Sequence, residues 1–308
     1  MNLLHWMKKE KSGLAVSTLE LAAYEERRGH SVCIRQPGED ALIYGREKKP
    51  DVHLVHSQIH PRTYHDGVPK IMWMHGEPLS SVGNGTSMKA IVDLAPAMDA
   101  FICMRRDELA IWNAIKRTHL VPKGVDLEVY KPLPGVTERL SGEPAVLYCE
   151  NWRGQRNPLY LCVAMQMVHE RYPNARLHLV NCPSDKVKDM FWSLAKNNKW
   201  TSFLRTISGP VDDINTLYNR VDIVASCLYP LYARGIEAFG AGKAFIGPGY
   251  HEPGYPWTCD LSPESLAASI MQCWEGYDNV DYRAWAEERH DVAETVRQSV
   301  KVYERYAN

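Results

Sequence analysis

Short apolar runs alternate along this chain with stretches whose apolar residues recur every three or four positions, a pattern that predicts strands alternating with helices. Asn2 to Trp6 reads as an apolar strand. A helix follows from about Leu14 to Arg28, with Leu14, Thr18, Leu21 and Ala22 on one face and Gly29 at its end. Ser31 to Ile34 returns as a strand. Residues 51–57 and 70–77 predict two more strands, each ending in a histidine followed by a small residue, His56-Ser57 and His75-Gly76. Asp99 to Cys103 is a strand and a helix runs through Glu108 to Ile115. A stretch rich in Pro, Gly and Ser, Leu133 to Glu143, then marks a linker.

After the linker the pattern starts again. Ala145 to Cys149 and Arg176 to Asn181 read as strands around a helix over 158–172, whose stripe is Leu161, Met165, Val168 and Tyr172. Val221 to Ala225 is an apolar run bounded by polar residues, short enough for a buried strand, and Pro230 breaks it. From about Ala233 the residues Ile236, Phe239 and Gly240 recur at helical spacing until Gly242, and Ala244 to Ile246 gives another strand. This βαβ unit places a loop and a helix start at the carboxyl edge of a parallel sheet, where free backbone amides hold an anion. Ser262 as N-cap with Pro263 behind it starts a helix to about Glu275, and residues 282–306 are helical and charged.

Composition narrows the class. The 308 residues predict two domains of ordinary size, and 45% hydrophobic with 24% charged residues is a globular balance. A net charge of −1 gives no support to a nucleic-acid backbone as the main partner. The eight cysteines form no C-x-x-C pair and several sit in apolar runs, which predicts reduced core thiols and a cytoplasmic protein. No apolar run approaches membrane-spanning length, so a soluble chain is expected. His53, His56, His60 and His65 suggest zinc, but lack Cys or acid partners at ligand spacing, and no metal is expected.

Candidate chemistry centres on Glu237, an acid between Ile236 and Ala238 near a helix start. By spacing alone it is as much a solvated carboxylate complementing the helix dipole as a ligand group. Yet Ser226, Tyr229 and the run G-I-E-A-F-G-A-G-K-A-F-I, residues 235–246, resemble the donor site of retaining glycosyltransferases of the GT-B fold, the family-4-like group. Other segments extend the resemblance: S-G-L-A from Ser12, the strand-end His56 and His75-Gly76, the run H-L-V-P-K-G-V-D from His119, and the loop E-N-W-R-G-Q-R-N-P from Glu150.

The resemblance implies two Rossmann-like domains facing a central cleft. These are an acceptor-side domain over 1–136, onto which helix 282–308 packs back, and a nucleotide-sugar donor domain over 137–281. It implies transfer of a hexose or pentose from a nucleoside-diphosphate sugar with retention, no cofactor and no divalent metal. Catalytic candidates are His75, Arg153 and Arg156, the two arginines neutralising the diphosphate. Donor-binding candidates are Gly13, Lys123, Tyr229, Arg234, Gly235 and Glu237, with Glu237 on the ribose. Two positions depart from the family pattern: Tyr229 replaces the first acid of the donor site, which contacts the transferred sugar, and Glu150 stands at or beside an arginine position. These departures suggest an alternative, a catalytically silent nucleotide-binding relative. A further alternative is transfer to a modified nucleic-acid base; the acceptor, whether glycan, small molecule or base, stays open.

Overall fold

The computed structural model describes residues 1–7, 13–35, 49–56, 67–75, 85–150, 152, 158–180, 185–207, 211, 213–227, 232–249 and 254–307. They divide into two units, Met1–Asp126 with Arg289–Asn308, and Leu127–Glu288. The first unit contains β1 (Asn2–Met7), α1 (Gly13–Arg27), β2 (Ser31–Arg35), β3 (Val52–His56), β4 (Lys70–Met74), α2 (Gly85–Leu94), β5 (Ala100–Cys103), α3 (Arg106–Ile115) and β6 (Thr118–Leu120). The second contains β7 (Ala145–Tyr148), α4 (Leu159–Arg171), β8 (Arg176–Val180), α5 (Asp185–Asn197), β9 (Leu204–Ile207), α6 (Ile214–Asn219), β10 (Ile223–Ala225), α7 (Tyr232–Gly240), β11 (Ala244–Ile246), α8 (Pro263–Gly276) and α9 (Tyr282–Arg289). The last helix, α10 (Val292–Ala307), belongs to the first unit.

Among the described residues each unit has one sheet, all of its pairings parallel. The first sheet runs β2-β1-β3-β4-β5-β6 and the second β11-β10-β7-β8-β9. Parallel neighbours need long crossovers, and helices supply them. Because side chains alternate across a strand, Leu3, Val52, Leu54, Ile71 and Trp73 share one face with α1 and with Val292, Val296, Val300 and Tyr303 of α10. Leu4, Trp6, Val55, Met72 and Met74 line the other face, against Ile91 and Leu94 of α2 and Trp112 of α3. Strands covered on both faces explain why their sequences read as continuous apolar runs. In the second unit, residues after Asp126 are tied to that unit's own helices and strands: the Lys131 and Leu133 amides donate to Asn215 and Asn219 of α6, and Arg139 pairs with Asp222.

Three local differences from the sequence reading have physical reasons. Residues 282–306 are two helices, because the Val125 amide donates to the His290 carbonyl and the Val292 amide to the Val125 carbonyl, pulling the intervening backbone into a parallel bridge. Tyr172, assigned to the stripe of α4, lies just beyond the helix, since Pro173 disfavours helical backbone in the residue before it. Helices α2 and α5 carry no predicted counterpart; α5 buries Phe191 and Ala195, four positions apart on one face.

Candidate functional site

Strand order in the second sheet reverses between β7 and β10, the kind of position at which open parallel α/β sheets bind their ligands. The residues at this switch point are Cys149 and Glu150 after β7, and Ser226 and Cys227 after β10, all four buried. Helix α7, which leads from β10 to β11, lies tight on the sheet. A β-carbon on Gly235 would come within 2.8 Å of the Phe245 ring, so glycine is what lets the helix start approach the strand.

Glu237 lies on α7, 8% exposed. The Tyr218 hydroxyl donates to its Oε2 at 2.7 Å and the Arg234 guanidinium donates to the same oxygen at 2.7 Å. This overturns the solvated first-turn reading: the carboxylate is buried and held. Burial, followed by the nearby Cys149 and Glu237, keeps the Tyr218 phenol well above its ordinary pKa, so it stays a donor. Burial likewise pushes the Cys149 thiol up to about 11, which makes it an unreactive wall of the site. Trp152 donates from its indole to the Val180 carbonyl at 3.2 Å and packs edge-on against Phe191, anchoring the connection after β7.

The first sheet reverses between β1 and β3. His5 on β1, His56 at the end of β3 and His75 just beyond β4 all take the face shared by Leu3, Leu54 and Trp73. His5 Nδ1 and His56 Nε2 are 2.8 Å apart, and His56 Nδ1 and His75 Nε2 are 2.9 Å apart. At the far end His5 Nε2 meets Glu25 Oε2 of α1 at 2.6 Å. Burial first, then the charge of Lys123, brings His75 down to about 3, and burial with its two histidine neighbours holds His56 well below the usual value. Both rings are therefore neutral at physiological pH. Lys123 donates to Ser17 of α1 at 2.8 Å. Beside it, a β-carbon on Gly124 would overlap the Val292 backbone at 2.5 Å, so the Gly of the P-K-G-V-D run is required by the bridge to the start of α10.

The structure thus gathers Arg234, Gly235 and Glu237 on α7, and His75 and Lys123 in the first unit. Gly13 opens α1. Arg153, Arg156 and Tyr229 lie outside the described residues, as do His60 and His65. His53, grouped with His56 by sequence, faces the opposite side of the sheet and accepts from the Trp6 indole at 3.0 Å. Among the described residues no three His, Cys, Asp or Glu side chains are arranged to hold a metal ion, and no helix is long and apolar enough to cross a membrane. Tyr218, His5 and Glu25 were not singled out by sequence. Their only signal is period-two placement or helical spacing, and their partners are far away in the chain.

No protein-family model and no curated protein sequence matches the chain. Solved structures do. Anabaena Alr3699/HepE in complex with UDP is 16% identical, covering 99% of this chain and 100% of its own, with a TM-score of 0.77. The glycosyltransferase from Rickettsia africae ESF-5 is 15% identical over 99% of this chain and 98% of its own, with a TM-score of 0.72. The catalytic domain of starch synthase IV from Arabidopsis thaliana, bound to ADP and acarbose, is 11% identical over 100% of this chain and 99% of its own, with a TM-score of 0.67. The chain has the GT-B glycosyltransferase fold.

Proposed function

We propose that this protein is a glycosyltransferase that moves a sugar from a nucleoside-diphosphate sugar to an acceptor, with retention, in the manner of the family-4-like group and without metal or cofactor. The end-to-end likeness to structures solved with UDP or ADP supports a nucleotide ligand. The observation that carries the reading is Glu237: a buried carboxylate beside the switch point of the second sheet, whose two described contacts both fall on Oε2. Oε1 is then the acceptor for the ribose hydroxyls.

In this reading the second unit binds the donor and the first serves the sugar and acceptor. Charge developing on the leaving diphosphate is met by Arg153, Arg156 and the start of α7 near Arg234 and Gly235; preorganised donors of this kind supply the largest catalytic contribution in many enzymes. Arg234 gives one N–H to Glu237 and keeps others for phosphate oxygens. Tyr229 belongs to the donor site in place of the family's first acid, the backbone at Gly13 passes close to the donor phosphates or the acceptor, and His75 faces the hydroxyls of sugar or acceptor.

Glu237→Gln keeps the shape and one acceptor oxygen but loses charge. Calorimetry should show ribonucleotide affinity falling by about 1.5–3 kcal/mol, the scale of a hydrogen bond to a charged group. The 2′-deoxynucleotide should bind the unsubstituted protein weakly, and the gap between the two ligands should shrink in the variant. An unchanged ratio removes Glu237 from the ribose.

A further inference from the structure

Three histidines in one hydrogen-bonded row must share out their protons, since each neutral ring has one N–H and one lone pair. Glu25 sets the direction. A carboxylate only accepts, so His5 donates from Nε2 to Glu25 Oε2, and its Nδ1 is left to accept from His56 Nε2. His56 Nδ1 in turn accepts from His75 Nε2. The row ends with a lone pair on His75 Nδ1. The opposite polarity needs one proton more, between His5 Nε2 and Glu25 Oε2.

Strand register builds this row. Met7 is the partner of His56 across β1 and β3, and His53, Leu54 and Val55 face Lys70, Ile71 and Met72 across β3 and β4. Each histidine therefore sits two residues further toward the carboxyl edge than the last, on a diagonal that crosses the switch point. The rings are also clamped: His5 and His56 lie nearly coplanar, edge to edge, with ring centres 5.0 Å apart and planes 11° apart, and Trp73 stacks on both His56 and His75. The Trp73 indole is itself fixed by donating to the Tyr303 hydroxyl at 3.2 Å.

We propose that Glu25, His5 and His56 are positioning residues that hold His75 with its proton on Nε2, so that Nδ1 accepts a hydrogen bond from a hydroxyl of the sugar or the acceptor. The substrate side of this statement rests on the glycosyltransferase reading; the tautomer does not. Neutrality of His56 and His75, produced by their burial, fits a row that transmits direction rather than charge.

The test is two-bond proton–nitrogen correlation spectroscopy of the full chain carrying nitrogen-15 histidine, with His75 assigned by comparison with His75→Gln. The unsubstituted protein should show His75 protonated on Nε2 alone. Glu25→Gln, whose amide can donate or accept, and His56→Phe, which cuts the row, should each give a mixture of tautomers with the circular dichroism of the folded chain unchanged. With a nucleotide-sugar donor, kcat should fall about tenfold, the scale of one misdirected hydrogen bond, and KM for the donor should stay nearly unchanged. A His75 protonated on Nδ1 in the unsubstituted protein, or protonated on Nε2 alone in both variants, overturns the proposal. If one variant fails to fold, the other and the unsubstituted spectrum decide. If no nucleotide sugar is turned over, the glycosyltransferase reading falls while the spectra still decide the relay.

Discussion

Burial gives the key side chains their character. Glu237 sits among a phenol and a guanidinium that both address one oxygen, so its orientation is fixed before any ligand arrives. His56, His75 and His290 are kept neutral by burial, His290 at about 4. In the unfolded chain each would titrate near pH 6.5. Below that pH the unfolded state binds more protons than the folded state, so stability should hold between about pH 7 and 8 and fall as pH drops from about 6.5 toward 5. Thermal melts across that range check this, and a flat profile would show that these rings take up protons in the folded chain as readily as in the unfolded one. At this scale the sequence was half legible. Glu237, Arg234 and Lys123 were singled out by resemblance, whereas Tyr218, His5 and Glu25 owe their contacts to partners supplied by other elements, which local spacing does not reveal.

Elements obey their local signals until another part of the chain intervenes. Ser262 caps α8 and Pro263 opens it, as their order predicts. The gap between α9 and α10 has no such signal, because its cause is Val125, more than a hundred residues earlier. Gly124 makes that bridge possible. Gly124→Ala would place a methyl group against the Val292 and Asp291 backbone, which cannot rotate aside as a side chain can. Urea unfolding should show the first unit less stable by about 3 kcal/mol, the upper end of ordinary overpacking. A loss within about 0.5 kcal/mol, the range of an ordinary surface substitution, would mean that the start of α10 moves away at little cost. Likewise Tyr172 was drawn into α4 by its spacing and excluded by Pro173, a signal that was present in the sequence and outweighed.

For the molecule as a whole, alternation of strand and helix was enough to announce two parallel α/β sheets, and resemblance supplied the name of the fold. Strand order was not legible, since period and propensity say nothing about which strands become neighbours. That order nevertheless places the chemistry: His5 and His56 straddle the reversal in the first sheet, and Glu150 and Ser226 flank the reversal in the second. The proposed activity is transfer of a sugar from a nucleotide-sugar donor. The most direct measurement is release of nucleoside diphosphate from a panel of nucleotide sugars, with water or added glycans as acceptor and the anomer of the product read by proton resonance. At least one donor should be consumed with its anomeric configuration retained, and Glu237→Gln should slow that reaction. Failure of every donor to react, together with no nucleoside diphosphate raising the melting temperature, would contradict the account.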